Sequence, residues 1–118
     1  MRIEIRKRGT KQAILISFDT NSEKFVSRTE RNKFFSELHG RKQIIIKQKK
    51  RYVYRRPGLL DEIPHIPVDN SVFIIMQEHI KQMEKFFNEW RDKVMVKSFP
   101  VLLTEEEIRK LEKEVQEE

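Results

Sequence analysis

Asp61, Glu62, His65 and Asp69 fall within nine residues of one another, and they are the side chains of this 118-residue chain best placed for proton transfer or metal binding. Carboxylates and an imidazole act as general acid and base when a fold brings them to one substrate atom. The run Asp61-Glu62-x-x-His65 has only the outline of a zinc-binding helix. That motif needs two histidines one helical turn apart, and Pro64 and Pro67 break any helix here. The plainer expectation is that these side chains satisfy the backbone of turns. His39 precedes Gly40, where an imidazole interacts with a helix C-terminus, and His79 stands one residue off an apolar stripe. With no cysteine, disulfides, thiolate zinc sites and a cysteine nucleophile are excluded. There is no P-loop, dinucleotide fingerprint or serine elbow, and Gly9, Gly40 and Gly58 are too dispersed to cradle a phosphate. The expectation is a non-catalytic protein with no cofactor and no metal.

The second constellation is basic. Residues 41–56, RKQIIIKQKKRYVYRR, hold eight cations, no acid and two tyrosines. A surface selected only for solubility mixes its signs. A cationic segment carrying aromatics suits a nucleic acid, the cations meeting phosphate and the rings stacking on bases. Arg41, Lys42, Lys47, Lys49, Lys50, Arg51, Arg55 and Arg56 are the candidate phosphate contacts, with Tyr52 and Tyr54 as stacking groups. Arg28, Arg31 and Lys33 would extend this patch from a preceding helix, and Arg6, Lys7, Arg8 and Lys11 from an N-terminal hairpin. Residues 1–58 carry 17 Lys/Arg against 5 Asp/Glu, and residues 59–118 carry 8 against 14, so the polyanion belongs to the first half. RNA or single-stranded DNA is favoured over a duplex groove, because no helix-turn-helix, zinc finger or basic zipper is present. No RRM or KH signature appears either. Two other readings stand beside this one: an assembly factor whose basic hairpin grips an acidic protein, and a small metal-independent ribonuclease in which His65 or a Glu moves a proton.

These residues need elements to position them. The pattern predicts a single α+β domain over residues 1–118, with a basic β-rich half and an acidic half of βαβ plus a terminal helix. Residues 2–8 and 12–18 read as a hairpin turning at Gly9-Thr10. Ser27 and Glu30 have capping-box spacing and open a helix that ends at Gly40 and buries Phe34, Phe35 and Leu38. Residues 43–48 and 51–56 form the basic hairpin. A turn at Lys49-Lys50 would set Lys47 opposite Tyr52 and Ile45 opposite Tyr54, with Ile44, Ile46 and Val53 facing the core. A three-residue loop would instead put the tyrosines on the core side. Residues 59–70, with two prolines, read as an ordered connector.

Residues 72–76, a helix with Ile80, Met83, Phe87 and Trp90 on one face, and residues 93–99 read as a βαβ unit with parallel strands, and Pro100 suggests a sheet edge. Thr104 with Glu107 caps a last helix whose narrow stripe, Ile108, Leu111 and Val115, either leans on the domain or docks on another subunit. No apolar run approaches the roughly 20 residues of a membrane span, and no secretion signal is visible, so a soluble cytoplasmic protein is expected. Abundant Lys, Glu and Arg with no Cys matches the composition of hyperthermophile proteins.

Overall fold

A computed structural model of the chain describes residues 12–116. In order, the elements are β1 (Ala13–Thr20), α1 (Arg28–His39), β2 (Arg41–Lys47), β3 (Lys50–Arg56), the short helix α2 (Leu59–Glu62), β4 (His65–Asp69), β5 (Val72–Met76), α3 (Ile80–Glu89), β6 (Val94–Val101) and α4 (Glu105–Gln116). The fold is a small single α+β domain. The strand expected over residues 2–8, and the cations Arg6, Lys7, Arg8 and Lys11, lie outside the described residues.

Four strands make an antiparallel sheet in the order β4-β5-β1-β6. β1 is paired on both sides over Ala13 to Ser17, with Ile16 opposite Phe73 on β5 and opposite Ser98 on β6. Its run Ala13-Ile14-Leu15-Ile16 is apolar at every position rather than every second one, which suits a central strand covered on both faces. β5 and β6 run in the same direction, as expected of strands joined through α3. They are not neighbours, because β1 lies between them and is antiparallel to each.

The expected connector is instead α2 and an edge strand, β4. A ladder tolerates Pro67 only at such an edge, and the register shifts between Pro67 and Asp69. Pro100 lies on the opposite edge strand, β6. The Asn21 N–H bonds to the Lys93 carbonyl at 3.0 Å, so odd-numbered residues of β1 exchange hydrogen bonds with β6. Pro100 opposite Ile14 therefore has its missing donor on the open edge.

One sheet face carries the main core. Ile16, Phe18, Phe73, Ile75 and Val94 pack against Phe34 and Leu38 of α1, Leu60 of α2, and Met83, Phe86 and Phe87 of α3. Phe34 is fully buried, with ring centroids 5.1 to 6.3 Å from Phe18, Phe25, Phe35, Phe86, Phe87 and Trp90. The Ser27 hydroxyl oxygen accepts from the Glu30 N–H at 3.2 Å, and Glu30 accepts from the Val26 N–H at 2.9 Å and pairs with Lys93. α1 is thereby capped and tied to the start of β6. On the other face, Leu111 of α4 joins Ala13 and Met76 in a smaller cluster. Leu111 is thus a core residue of its own chain rather than a subunit contact, and Ile108 is half-buried. α4 starts as its sequence predicts: the Glu107 N–H donates to Thr104 Oγ1 at 3.1 Å, and the Thr104 N–H donates to Glu107 Oε1 at 3.0 Å. No helix among the described residues is long and apolar enough to cross a membrane.

Candidate nucleic-acid interface

Among the described residues β2 and β3 pair only with each other, as a two-stranded arm. Their turn is Gln48-Lys49, with φ of 53° and 64°, the paired positive values of a type I′ hairpin turn. The pairs are Lys47 with Lys50, Ile45 with Tyr52, Gln43 with Tyr54 and Arg41 with Arg56. The turn thus comes one residue before the expected one and each pairing moves by two, which leaves every side chain on the face expected for it. One face carries Arg41, Gln43, Ile45, Lys47, Lys50, Tyr52, Tyr54 and Arg56. The other carries Lys42, Ile44, Ile46, Arg51, Val53 and Arg55.

The expectation that Ile44, Ile46 and Val53 enter the core does not hold. They are 51%, 75% and 56% exposed, because the arm stands off the four-stranded sheet and both its faces meet solvent. Tyr52 and Tyr54 are 40% and 47% exposed, with ring centroids 6.5 Å apart and planes 19° from parallel.

The arm's root is rigidly specified. Gly40 ends α1 at φ 81°, and its N–H bonds to the Ser36 carbonyl at 2.8 Å. A Cβ at Gly40 would stand 2.7 Å from the Arg56 carbonyl oxygen, and one at Gly58 would stand 2.2 Å from the Gly40 nitrogen. Two chain segments cross here at a distance only glycine permits. One Arg55 guanidinium nitrogen donates to the His39 carbonyl at 3.1 Å and to both Asp61 oxygens at 2.8 Å. Burial works against the charge of Asp61, but the Gly58 N–H and the Arg55 guanidinium outweigh it and hold the carboxyl below its ordinary range.

The ten expected contact residues therefore divide. Arg55 anchors the root, and Arg56 Nε donates to Gln43 Oε1 at 2.6 Å across the strands. No acid among the described residues pairs with Arg41, Lys42, Lys47, Lys49, Lys50 or Arg51. Arg31 lies over the Phe35 ring, 4.9 Å from its centroid, on the helix that leads into the arm.

The four-residue cluster read from the sequence does not assemble as such. Asp61 is committed to the arm root, and Glu62 is exposed. His65 and Asp69 instead share a cleft of about 340 Å³ with His39, Leu60 and Asn70. His39 was not foreseen here. It lies 26 positions before His65, and the one local hint was its i+4 spacing from Phe35, on which its ring now stacks at 6.3 Å and 6°. Desolvation lowers the proton affinity of His39 and the nearby His65 reinforces this, while a hydrogen bond with the Asn70 backbone and the Asp61 carboxylate oppose it. Among the described residues no three His, Asp or Glu side chains are grouped to hold a metal ion. A larger groove of about 670 Å³ between α3 and β6 has an apolar floor of Ile16, Met83, Phe87 and Val96 and contains no histidine.

No family model, no curated protein and no solved structure matches the chain.

Proposed function

We propose that this chain binds single-stranded nucleic acid, RNA or DNA, through the β2–β3 arm, as an accessory element of a nucleoprotein assembly. The observation that carries the reading is the near-parallel pair Tyr52 and Tyr54, half-exposed on a face whose Lys47 and Lys50 have no acidic partner among the described residues. Side chains two apart on a strand are separated by about 6.8 Å. That is twice the roughly 3.4 Å rise per nucleotide of a stacked strand, so the two rings suit alternate bases or one base held between them. Lys47, Lys49 and Lys50 at the tip and Arg41 at the base flank the rings and supply phosphate contacts. A narrow arm projecting from a packed body also reaches unstacked bases, which a flat helical face does not.

The other face favours a second reading. Ile44, Ile46 and Val53, bordered by Lys42 and Arg51, would suit an acidic protein with an apolar strip. Fluorescence anisotropy of labelled single-stranded RNA, single-stranded DNA and duplex DNA, at low and physiological salt, decides between them. Tight single-strand binding that weakens in Tyr52→Ala and Tyr54→Ala, by about 1–3 kcal/mol each, supports the first. Lys47→Glu with Lys50→Glu should weaken binding and flatten its salt dependence. Equal, weak binding to all three nucleic acids would reject it and leave the protein-partner reading.

A further inference from the structure

We propose that the cleft at the root of the arm is an acid–base site that cleaves RNA, with His39 as the base and His65 as the acid. This rests on the arm's holding an RNA strand.

The site is built from two separate parts of the chain. His39 is the last residue of α1, directly before the Gly40 turn into the arm, and His65 is the first residue of β4. Both line the same cleft, together with Asp69 and Asn70. Each ring is oriented by its surroundings. His39 lies flat against Phe35, which also carries the Arg31 guanidinium. His65 stands edge-on to Phe73 at 6.4 Å and 81°, and its Nδ1 is 2.9 Å from the Ile63 carbonyl oxygen. A carbonyl only accepts, so Nδ1 carries a proton and Nε2 is the nitrogen left for chemistry. Asp69 is turned by the Asn70 N–H, which donates to its Oδ1 at 2.7 Å. A strand held by the arm's cations would reach this cleft where α1 turns into the arm at Gly40.

The chemistry balances without any further reagent. His39 in its neutral form takes the proton of a ribose 2′-hydroxyl. The 2′-oxygen attacks the adjacent phosphorus and forms the new P–O bond. The bond from phosphorus to the 5′-oxygen breaks, and that oxygen leaves with the Nε2 proton of a protonated His65. The products are a 2′,3′-cyclic phosphate and a 5′-hydroxyl end. His39 finishes protonated and His65 neutral, and proton exchange with water restores both. DNA lacks the 2′-hydroxyl and would be held but not cut.

The test uses the full chain, a chelator, and two labelled strands, one all-DNA and one identical but for a single ribonucleotide. Cutting is read by release of a quenched fluorophore and binding by anisotropy. The expected result is cleavage only at the ribonucleotide, a cyclic-phosphate end, a bell-shaped pH profile, and a loss of about 10²-fold or more in His39→Asn and in His65→Gln. Anisotropy and thermal melting of both variants should match the parent. A ribonucleotide strand that is bound but never cut, or is cut equally well by both variants, overturns the acid–base site and leaves the binding reading standing. Strands that do not bind at physiological salt overturn both.

Discussion

Arg55 and Asp61 meet at 2.8 Å, and the same guanidinium nitrogen reaches the His39 carbonyl, so a single β3 side chain joins the end of α1 to the start of α2. The arm otherwise rests on two crossing glycines. Asp61 also accepts from the Gly58 N–H at 2.7 Å, which makes it both ion-pair partner and helix cap. The side chains are 53% and 35% exposed, which limits the ion pair to about 1 kcal/mol at most, and the cap adds a similar amount. Asp61→Ala should therefore cost about 1–2 kcal/mol in urea unfolding, while Asp61→Asn, which keeps an acceptor for Gly58, should lose roughly half as much. Glu62→Ala, at the exposed neighbouring acid, serves as the control and should be near neutral.

The turn residues Gln48 and Lys49 both adopt positive φ without being glycine. Lys49→Pro forces φ to about −65° and cannot make this turn, whereas Lys49→Gln removes the same charge and leaves the backbone free. The proline variant should bind single strands much more weakly than the glutamine variant. Melting temperatures of the two should stay close, because the arm contributes nothing to either core cluster. Gln48→Asn should slow amide exchange in the arm, since asparagine tolerates the left-handed region best among non-glycine residues.

Much of this was legible in the chain, and the exceptions have physical causes. Ser27 with Glu30, Gly40, and Thr104 with Glu107 announce two helices through local hydrogen bonds, and local chemistry survives any tertiary arrangement. The tyrosine face of the arm was legible too, because moving a turn by one residue at fixed loop length changes the partners and not the faces. What Ile44, Ile46 and Val53 meet depends on whether anything packs on the arm, and their spacing is the same for a buried strand as for a projecting one. β4 was hidden by Pro67, which argues against a strand until the strand is known to be an edge. The meeting of His39 and His65 in one cleft is wholly tertiary, since 26 positions separate the end of α1 from the start of β4.

Phe34 is the residue on which the main core most depends. It is fully buried among six aromatic rings, and no main-chain shift can fill its space without disturbing several of them. Phe34→Ala should cost about 3–5 kcal/mol, enough to unfold a marginal domain. Phe99→Ala, at a site 50% exposed on β6, should change stability far less. Chemical denaturation of the pair measures the difference directly, and equal losses would mean that Phe34 is not the centre of the core.

Acid should destabilise the fold in two separable steps. His39 binds a proton more weakly folded than unfolded, chiefly through burial, so its contribution is complete above its ordinary value of 6.5 and declines as the pH falls below it. Glu30 is held below its ordinary 4.5 by the Lys93 ammonium and then by the Val26 N–H. Asp61 sits below its ordinary 3.8, the Gly58 N–H and Arg55 prevailing over burial. A carboxylate lowered in this way stabilises the fold above the ordinary carboxylate range, and that contribution is lost as the pH falls toward the folded value. Melting temperature followed from about pH 7 to about pH 3 should therefore decline first below 6.5 and again below 4.5. His39→Gln should remove the first decline and leave the second. Glu30→Gln should lower stability at neutral pH, where the Lys93 contact is broken, and flatten the second decline. A first step unchanged by His39→Gln would mean that His39 takes up protons as readily in the folded chain as in the unfolded one.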